Sequence, residues 1–152
     1  MKRLLIFTIL LFSLSVSAQR NPFSNLTEKN GKIGIGTNAP DELLTVKGKI
    51  HTQEVRVDLD GAVAPDYVFE KYFNGFSEMM PEYKLISLEE LEAFLKENKH
   101  LPNVPSAETM QNEGISLKEM NLILLQKIEE LTLYTLQQQK EIDALKEKIL
   151  KK

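Results

Sequence analysis

The amino-acid sequence predicts an elongated α+β protein made of a short β-rich stalk, an irregular neck with short helices and a C-terminal coiled coil. Residues 32–59 alternate apolar and polar side chains with a period of two, which is typical of strands with one buried face. Residues 61–86 hold aromatic side chains and prolines without a period. Residues 117–149 repeat apolar side chains in steps of three and four, which indicates a long helix with a heptad pattern.

The first residues have the layout of a signal peptide. Lys2 and Arg3 precede an apolar run over residues 4–14, and the small side chains of Val16 and Ala18 favour cleavage before Gln19. The alternative is an uncleaved membrane anchor, but the run is shorter than the roughly 20 residues that a membrane span needs. We therefore expect a signal peptide over residues 1–18, no membrane span after cleavage, and a secreted, periplasmic or cell-surface protein.

Composition excludes several function classes. The chain contains no cysteine, which excludes disulfides, a cysteine nucleophile, thiolate metal sites and a lipid-modified cysteine. The net charge is -3, and removing Lys2 and Arg3 gives -3 - 2, about -5 for the mature chain. Because the chain has no basic patch, a nucleic-acid partner is not expected.

The N-terminal part of the mature chain is predicted to be a flexible leader over residues 19–30, followed by the β-rich stalk over residues 31–60. The apolar parity of the alternation changes inside the stalk, which predicts a bulge or turn near Thr52–Gln53. The alternating apolar positions are Ile33 and Ile35, then Leu44, Val46 and Ile50, and finally Val55, Val57 and Leu59.

The neck, residues 61–115, combines an irregular aromatic segment with two short helices. Ser87 and Glu90 form the sequence pattern of a capping box, and the helix that they begin ends near Asn98. Ser106 is predicted to cap one or two further helical turns that stop at Gly114.

The last segment, residues 116–152, is predicted to be one helix about 50 Å long, at roughly 1.5 Å per residue. A helix of that length cannot bury an apolar stripe on so small a globule, so self-association is the simplest interpretation. The alternative is a helix folded back on the neck. The heptad pattern leaves the number of helices in the coiled coil open, because Thr135 and Gln138 interrupt the apolar stripe. We define the seam as the ten predicted oligomerisation residues: Leu117, Asn121, Leu124, Ile128, Leu131, Thr135, Gln138, Ile142, Leu145 and Ile149.

Gly34, Gly36 and Ala39 match a form of the dinucleotide-binding fingerprint. That fold needs a crossover helix after the glycine turn, and Pro40 together with the renewed alternation leaves no room for one. Gly34, Gly36 and Pro40 are instead interpreted as a stalk turn in which backbones pack closely.

No enzyme, cofactor or metal site is expected. His51 and His100 lack the spacing of metal ligands, Ser87 and Ser116 are interpreted as helix caps, and the acidic residues at 89–92 suit the positive end of a helix dipole.

Two stretches also resemble a known family. "GKIGIGTNAPDELLTVKGKI" resembles the G-x-[IV]-G-I-G-T-x-x-P-x-x-x-L-x-V-x-G motif of secreted, tail-fibre-like proteins, particularly of Bacteroidetes bacteria. "SLEELEAFLKENKHLPNVPSAETMQNEGISLKEMNLILLQKIEELTLY" looks like the C-terminal module of such proteins. The resemblance implies a parallel homotrimer at the cell surface, in which three copies of Gly34 and Gly36 pack near a common axis. This chain has one copy of the glycine motif, so a long fibre is not implied.

These observations predict an exported, non-enzymatic, fibrous structural protein, with the neck as the contact surface for an adhesive role. A trimerisation or chaperone module of a larger surface complex is an alternative within the same architecture. A small secreted carbohydrate-binding protein that uses Tyr67 or Tyr72 is an alternative of another class. The expected partners are copies of the same chain, as a trimer or a dimer, and an unidentified surface or glycan ligand.

Overall fold

A computed structural model describes residues 23–151, and the predicted signal peptide lies outside them. The chain divides after Val55 into two compact units, here called the β unit and the helical unit. The α+β class is confirmed by a small sheet and by helices that end in one long C-terminal helix. The elements in order are β1 (Leu26–Lys29), β2 (Lys32–Ile35), β3 (Leu44–Val46), α1 (Tyr67–Asn74), α2 (Leu88–Asn98), α3 (Ala107–Glu113) and α4 (Leu117–Leu150).

The β unit begins with an antiparallel hairpin of β1 and β2, in which Leu26 pairs with Ile35 and Lys29 with Lys32. Its turn is Asn30–Gly31, and both residues have positive φ, 55° and 76°. Asn-Gly is a strongly favoured two-residue hairpin turn because both residues tolerate this backbone conformation. The structure therefore differs from the predicted flexible leader, since the last part of residues 19–30 is a paired strand.

The third strand lies parallel to β2, with Ile33 beside Leu44 and Ile35 beside Val46. Parallel neighbours usually need a crossover of a dozen or more residues. Here loop 36–43 makes the connection, held by Ile33 N donating to Leu43 O at 2.8 Å and Lys47 N donating to Ile35 O at 2.9 Å.

Residues 47–66 contain no strand, so the third predicted alternation, Val55 to Leu59, is wrong as a strand. These apolar side chains are exposed, and no strand of the described chain pairs with this segment. A bulge or turn between strands was predicted near Thr52–Gln53, and the structure has a bend there without flanking strands, where Thr52 Oγ1 donates to the Glu54 carbonyl at 2.9 Å.

The helical unit begins with α1, in the part of the neck that was expected to be irregular. Gly75 ends this helix in the left-handed conformation, φ 77°, with its N–H donating to the Lys71 carbonyl at 3.1 Å. The core of the unit is Tyr67, Val68 and Leu133, so α1 is packed against α4. The sequence of α1 has no clear apolar period, so its contacts with α4 identify it where the sequence does not.

The other helix boundaries follow the predicted caps. Ser87 and Glu90 make both bonds of the capping box at the start of α2. Ser106 Oγ accepts from Thr109 N before α3, which ends at Gly114. Ser116 Oγ accepts from Glu119 N before α4.

Replacing Gly36 with alanine is expected to destabilise the β unit by about 1–2 kcal/mol. Gly36 has φ +71°, and a Cβ there would lie 2.9 Å from the Lys47 carbonyl oxygen. Gly48 is the matched control, because a Cβ at Gly48 meets nothing within 4 Å. Hydrogen exchange of the β2 amides measures the difference, and equal effects of Gly36→Ala and Gly48→Ala would contradict the assignment.

Candidate assembly interface and neck contact

The long helix α4 presents its seam to solvent. All ten seam residues are exposed, and the aliphatic ones retain between 45% and 72% of their accessible surface. The structure thus brings the predicted oligomerisation residues onto one continuous face of one helix, and that face makes no core contact within the described chain.

A second face of α4 packs against the neck. We define this neck face as Gln126, Glu129, Leu133 and Tyr134, which are all buried, with Leu133 fully so. At about 100° per residue, Leu131 of the seam and Leu133 of the neck face lie roughly 160° apart around the helix. The neck therefore contacts the helix on the side opposite the seam. The alternative prediction, a helix folded back on the neck, accounts for the burial of the neck face but not for the exposed seam.

A polar network fixes the neck to the helix. Tyr67 Oη donates to Gln126 Oε1 at 2.9 Å, and Gln126 Nε2 donates to Glu130 Oε1 at 2.7 Å. Tyr83 Oη donates to the same Glu130 oxygen at 3.2 Å, while Lys127 Nζ pairs with Glu130 Oε2 at 2.8 Å. Such connected and satisfied networks specify a single arrangement of the packed elements.

The tyrosines in this contact are structural donors. Burial raises the pKa of Tyr67, Tyr83 and Tyr134, and the Glu130 carboxylate raises each pKa further. Tyr134 Oη donates to the Ile86 carbonyl at 2.8 Å. These hydroxyls therefore stay protonated and act as hydrogen-bond donors rather than as bases.

The two tyrosines predicted to bind carbohydrate differ in the exposure of their rings. Tyr67 is buried and its ring lies 5.0 Å from that of Tyr83, so its face is not open to a sugar, and that prediction is corrected for Tyr67. Tyr72 is half-buried, packs edge-on against Phe73 at 4.9 Å and has Lys140 Nζ 5.7 Å from its ring. An open cleft of about 600 Å³ is lined by Tyr72, Tyr83, Tyr134, Lys84, Gln137 and Glu141, among others.

Glu129 is the unsatisfied group of the neck face. Its Oε2 atom is buried and has no hydrogen-bond partner in the described part of the chain. Burial raises the pKa of Glu129, and the nearby Asp66 carboxylate raises it further. The folded protein therefore holds the Glu129 proton to higher pH than the unfolded chain does.

Glu129→Gln is expected to stabilise the helical unit by about 1 kcal/mol at pH 7, because a buried unpaired charge is removed. The unfolded chain releases the Glu129 proton near the ordinary pKa of 4.5 and the folded chain releases it at higher pH, so stability falls between these two values as pH rises. The gain in melting temperature over the parent protein should therefore be larger at pH 8 than at pH 4. An equal gain at both values would contradict the buried-charge account.

The predicted stalk turn is an intrachain close contact. A Cβ at Gly34 would lie 2.4 Å from the Thr37 carbonyl oxygen, and Gly36 approaches Lys47 in the same way. Pro40 is half-buried in loop 36–43, all of whose residues are described and which contains bends but no helix. A dinucleotide fold needs a helix at this position.

The two histidines are separate. His51 is exposed, and the His100 ring packs edge-on against Phe94 at 5.7 Å, with Nδ1 3.0 Å from the Leu101 carbonyl oxygen. Residues 23–151 contain no group of three or more histidine, aspartate or glutamate side chains placed to hold a metal ion. Within the same residues, no helix combines the length and the apolar character needed to cross a bilayer.

Comparisons of the chain with protein-family models, curated proteins and solved structures found no match.

Proposed function

We propose that this protein is an exported, non-enzymatic structural protein of tail-fibre-like design that assembles through a parallel coiled coil of α4. The observation that supports it is the division of α4 into two faces. The neck packs on one face and leaves the seam exposed on the other. A continuous exposed aliphatic stripe on a long helix indicates an interface, since soluble monomers rarely expose such surface.

The polar seam residues are compatible with burial. Asn121 Nδ2 donates to the Leu117 carbonyl at 2.8 Å, and Thr135 Oγ1 donates to the Leu131 carbonyl at 2.9 Å. These bonds satisfy the Thr135 hydroxyl hydrogen and one of the two Asn121 N–H groups within the helix. In a coiled coil, the other polar atoms of Asn121 and the Gln138 amide would need partners across the interface. They reduce the apolar area of the interface without preventing it.

Charges beside the seam favour the parallel orientation. With Leu117, Leu124 and Leu131 at d, Glu141 falls at g and Lys146 at e, five positions later. Residues at g and at the following e meet between neighbouring chains of a parallel coiled coil and form interhelical ion pairs. The resemblance to tail-fibre-like proteins favours the trimer over the dimer.

Cysteine cross-linking tests the orientation, because the chain has no cysteine of its own. In a parallel, in-register assembly, Leu117→Cys should form a disulfide with another Leu117→Cys chain, and Leu145→Cys should do the same. Mixing the two variants should give no Leu117–Leu145 product. Leu136→Cys, an exposed leucine outside the seam, is the matched control and should cross-link slowly. A dominant mixed product would contradict the parallel arrangement.

Export is tested by N-terminal sequencing. The protein expressed from Met1 in a bacterial host should be recovered outside the cytoplasm with Gln19 as its first residue. Recovery in the cytoplasm with an intact start would contradict export.

A further inference from the structure

The small sheet has one apolar face that remains exposed. Paired residues of neighbouring strands project to the same side, so the pairings place Leu26 beside Ile35 and Ile33 beside Leu44 on one face. We define the isoleucine face as Leu26, Ile33, Ile35, Leu44 and Val46. The first four retain 40%, 42%, 41% and 58% of their accessible surface.

The chain closes the opposite face of the sheet itself. That face contains Gly34 and Thr45, which are both buried. Thr45 Oγ1 accepts from Asp41 N and Glu42 N, each at 3.1 Å, and donates to Asp41 Oδ1 at 2.7 Å. Loop 36–43 therefore covers this side and satisfies its polar groups.

The β unit consequently has no hydrophobic core of its own among residues 23–55. Its buried residues there are Gly34 and Thr45, and no buried side chain is aliphatic or aromatic. Sheets with strands of three or four residues need an apolar face packed against something else to be stable.

We propose that the isoleucine face packs against the same face of other copies of this chain within the α4 assembly. This inference rests on the proposed function. In a closed oligomer of two or three chains, the rotation axis brings the same face of every copy toward the axis, so an aliphatic face can meet the aliphatic faces of the other copies. Glu28 is the one charged residue of the strands on the same side of the sheet. Its carboxylate accepts from the Gly31 amide at 2.8 Å and so belongs to the hairpin turn.

The contact depends on α4 for its strength. Five aliphatic side chains present less than the roughly 800 Å² per partner of a standard stable interface. Assembly through the seam holds identical β units together on linkers of residues 47–66, which raises their effective concentration. Loop 36–43 already covers the side of the sheet that holds Gly34. The surface that faces neighbouring chains is therefore the isoleucine face, and not Gly34 as the family resemblance implies.

The test compares Ile35→Cys with Lys29→Cys in chains of residues 19–152. Lys29 is an exposed residue of the same sheet on its opposite side, so it is a matched control. Under mild oxidation, Ile35→Cys should form interchain disulfides ~10-fold faster or more, since the tether holds these cysteines together. Adding Leu131→Glu and Ile142→Glu should lower the Ile35→Cys rate to that of the control.

The possible failures are distinguishable by measuring mass in the same samples. Assembled protein with equal rates at Ile35→Cys and Lys29→Cys would overturn the isoleucine-face contact and leave the seam assembly standing. A monomeric parent protein would overturn the proposed function and this contact with it. An Ile35→Cys thiol that reacts with neither another chain nor a maleimide would show that the same chain covers the face, which also overturns the inference.

Hydrogen exchange of the unmodified protein gives a second measurement if Ile35→Cys perturbs the sheet. Amides of residues 26–46 should be protected in the assembly and lose protection on dilution to monomers. Equal protection in both states would contradict the contact.

Discussion

Replacing Leu131 and Ile142 with glutamate together is expected to convert the assembled protein into monomers. Both side chains belong to the seam and are exposed in the single chain, so the fold of one copy does not need them. In the assembly each glutamate would place a charge in an apolar interface. We expect the dissociation constant to rise at least ~100-fold, which corresponds to roughly 3 kcal/mol. Sedimentation equilibrium measures this change.

Leu136→Glu is the control for this experiment. Leu136 is a similarly exposed leucine of α4, but it lies outside the seam. Its substitution should leave the mass unchanged. If Leu136→Glu dissociates the protein as effectively as the seam variant does, the interface is not the heptad seam.

Replacing Leu133 with alanine is expected to destabilise the helical unit by about 2–5 kcal/mol, because Leu133 is fully buried in the core with Tyr67 and Val68. The lost side chain leaves a cavity where α1 packs on α4, so the neck should detach at lower denaturant concentration. Urea unfolding followed by tyrosine fluorescence measures this loss.

Assembly should survive the Leu133→Ala change, because Leu133 lies on the side of α4 away from the seam. Leu136→Ala, at an exposed leucine, should change stability by less than about 0.5 kcal/mol. A Leu133→Ala variant with normal stability would contradict the packing of the neck on α4. A monomeric variant would mean that the two faces of α4 are coupled.

Sequence predicts α2, α3 and α4 well because their ends are specified locally. Ser87, Ser106 and Ser116 each accept a backbone N–H at a helix start, and Gly114 ends a helix. Such caps act within a few residues and need no tertiary contact.

Helix α1 and the neck face could not be predicted in the same way. The helix carries aromatic side chains between a proline and a glycine, and its packing depends on Leu133, which is far away in sequence. The neck face contains Gln126 and Glu129, so a search for apolar periodicity detects the seam and misses the second face.

The sheet shows what alternation alone does not determine. Ile33 and Ile35 do alternate within a strand, but Val55 and Val57 alternate without a pairing partner among residues 23–151. A strand forms where backbone groups find a neighbour, and only the structure identifies that neighbour. The Asn30–Gly31 turn was the available signal for β1, and it lies at the end of a stretch whose polar composition suggested a flexible leader.

The exposed seam is expected to join copies of this chain. The most direct test is the solution mass of residues 19–152 by light scattering after size exclusion, over a range of concentrations. The expected result is a uniform oligomer, with three chains favoured and two compatible with the seam. A mass of one chain at every concentration, with the helical unit folded, would contradict assembly through the seam.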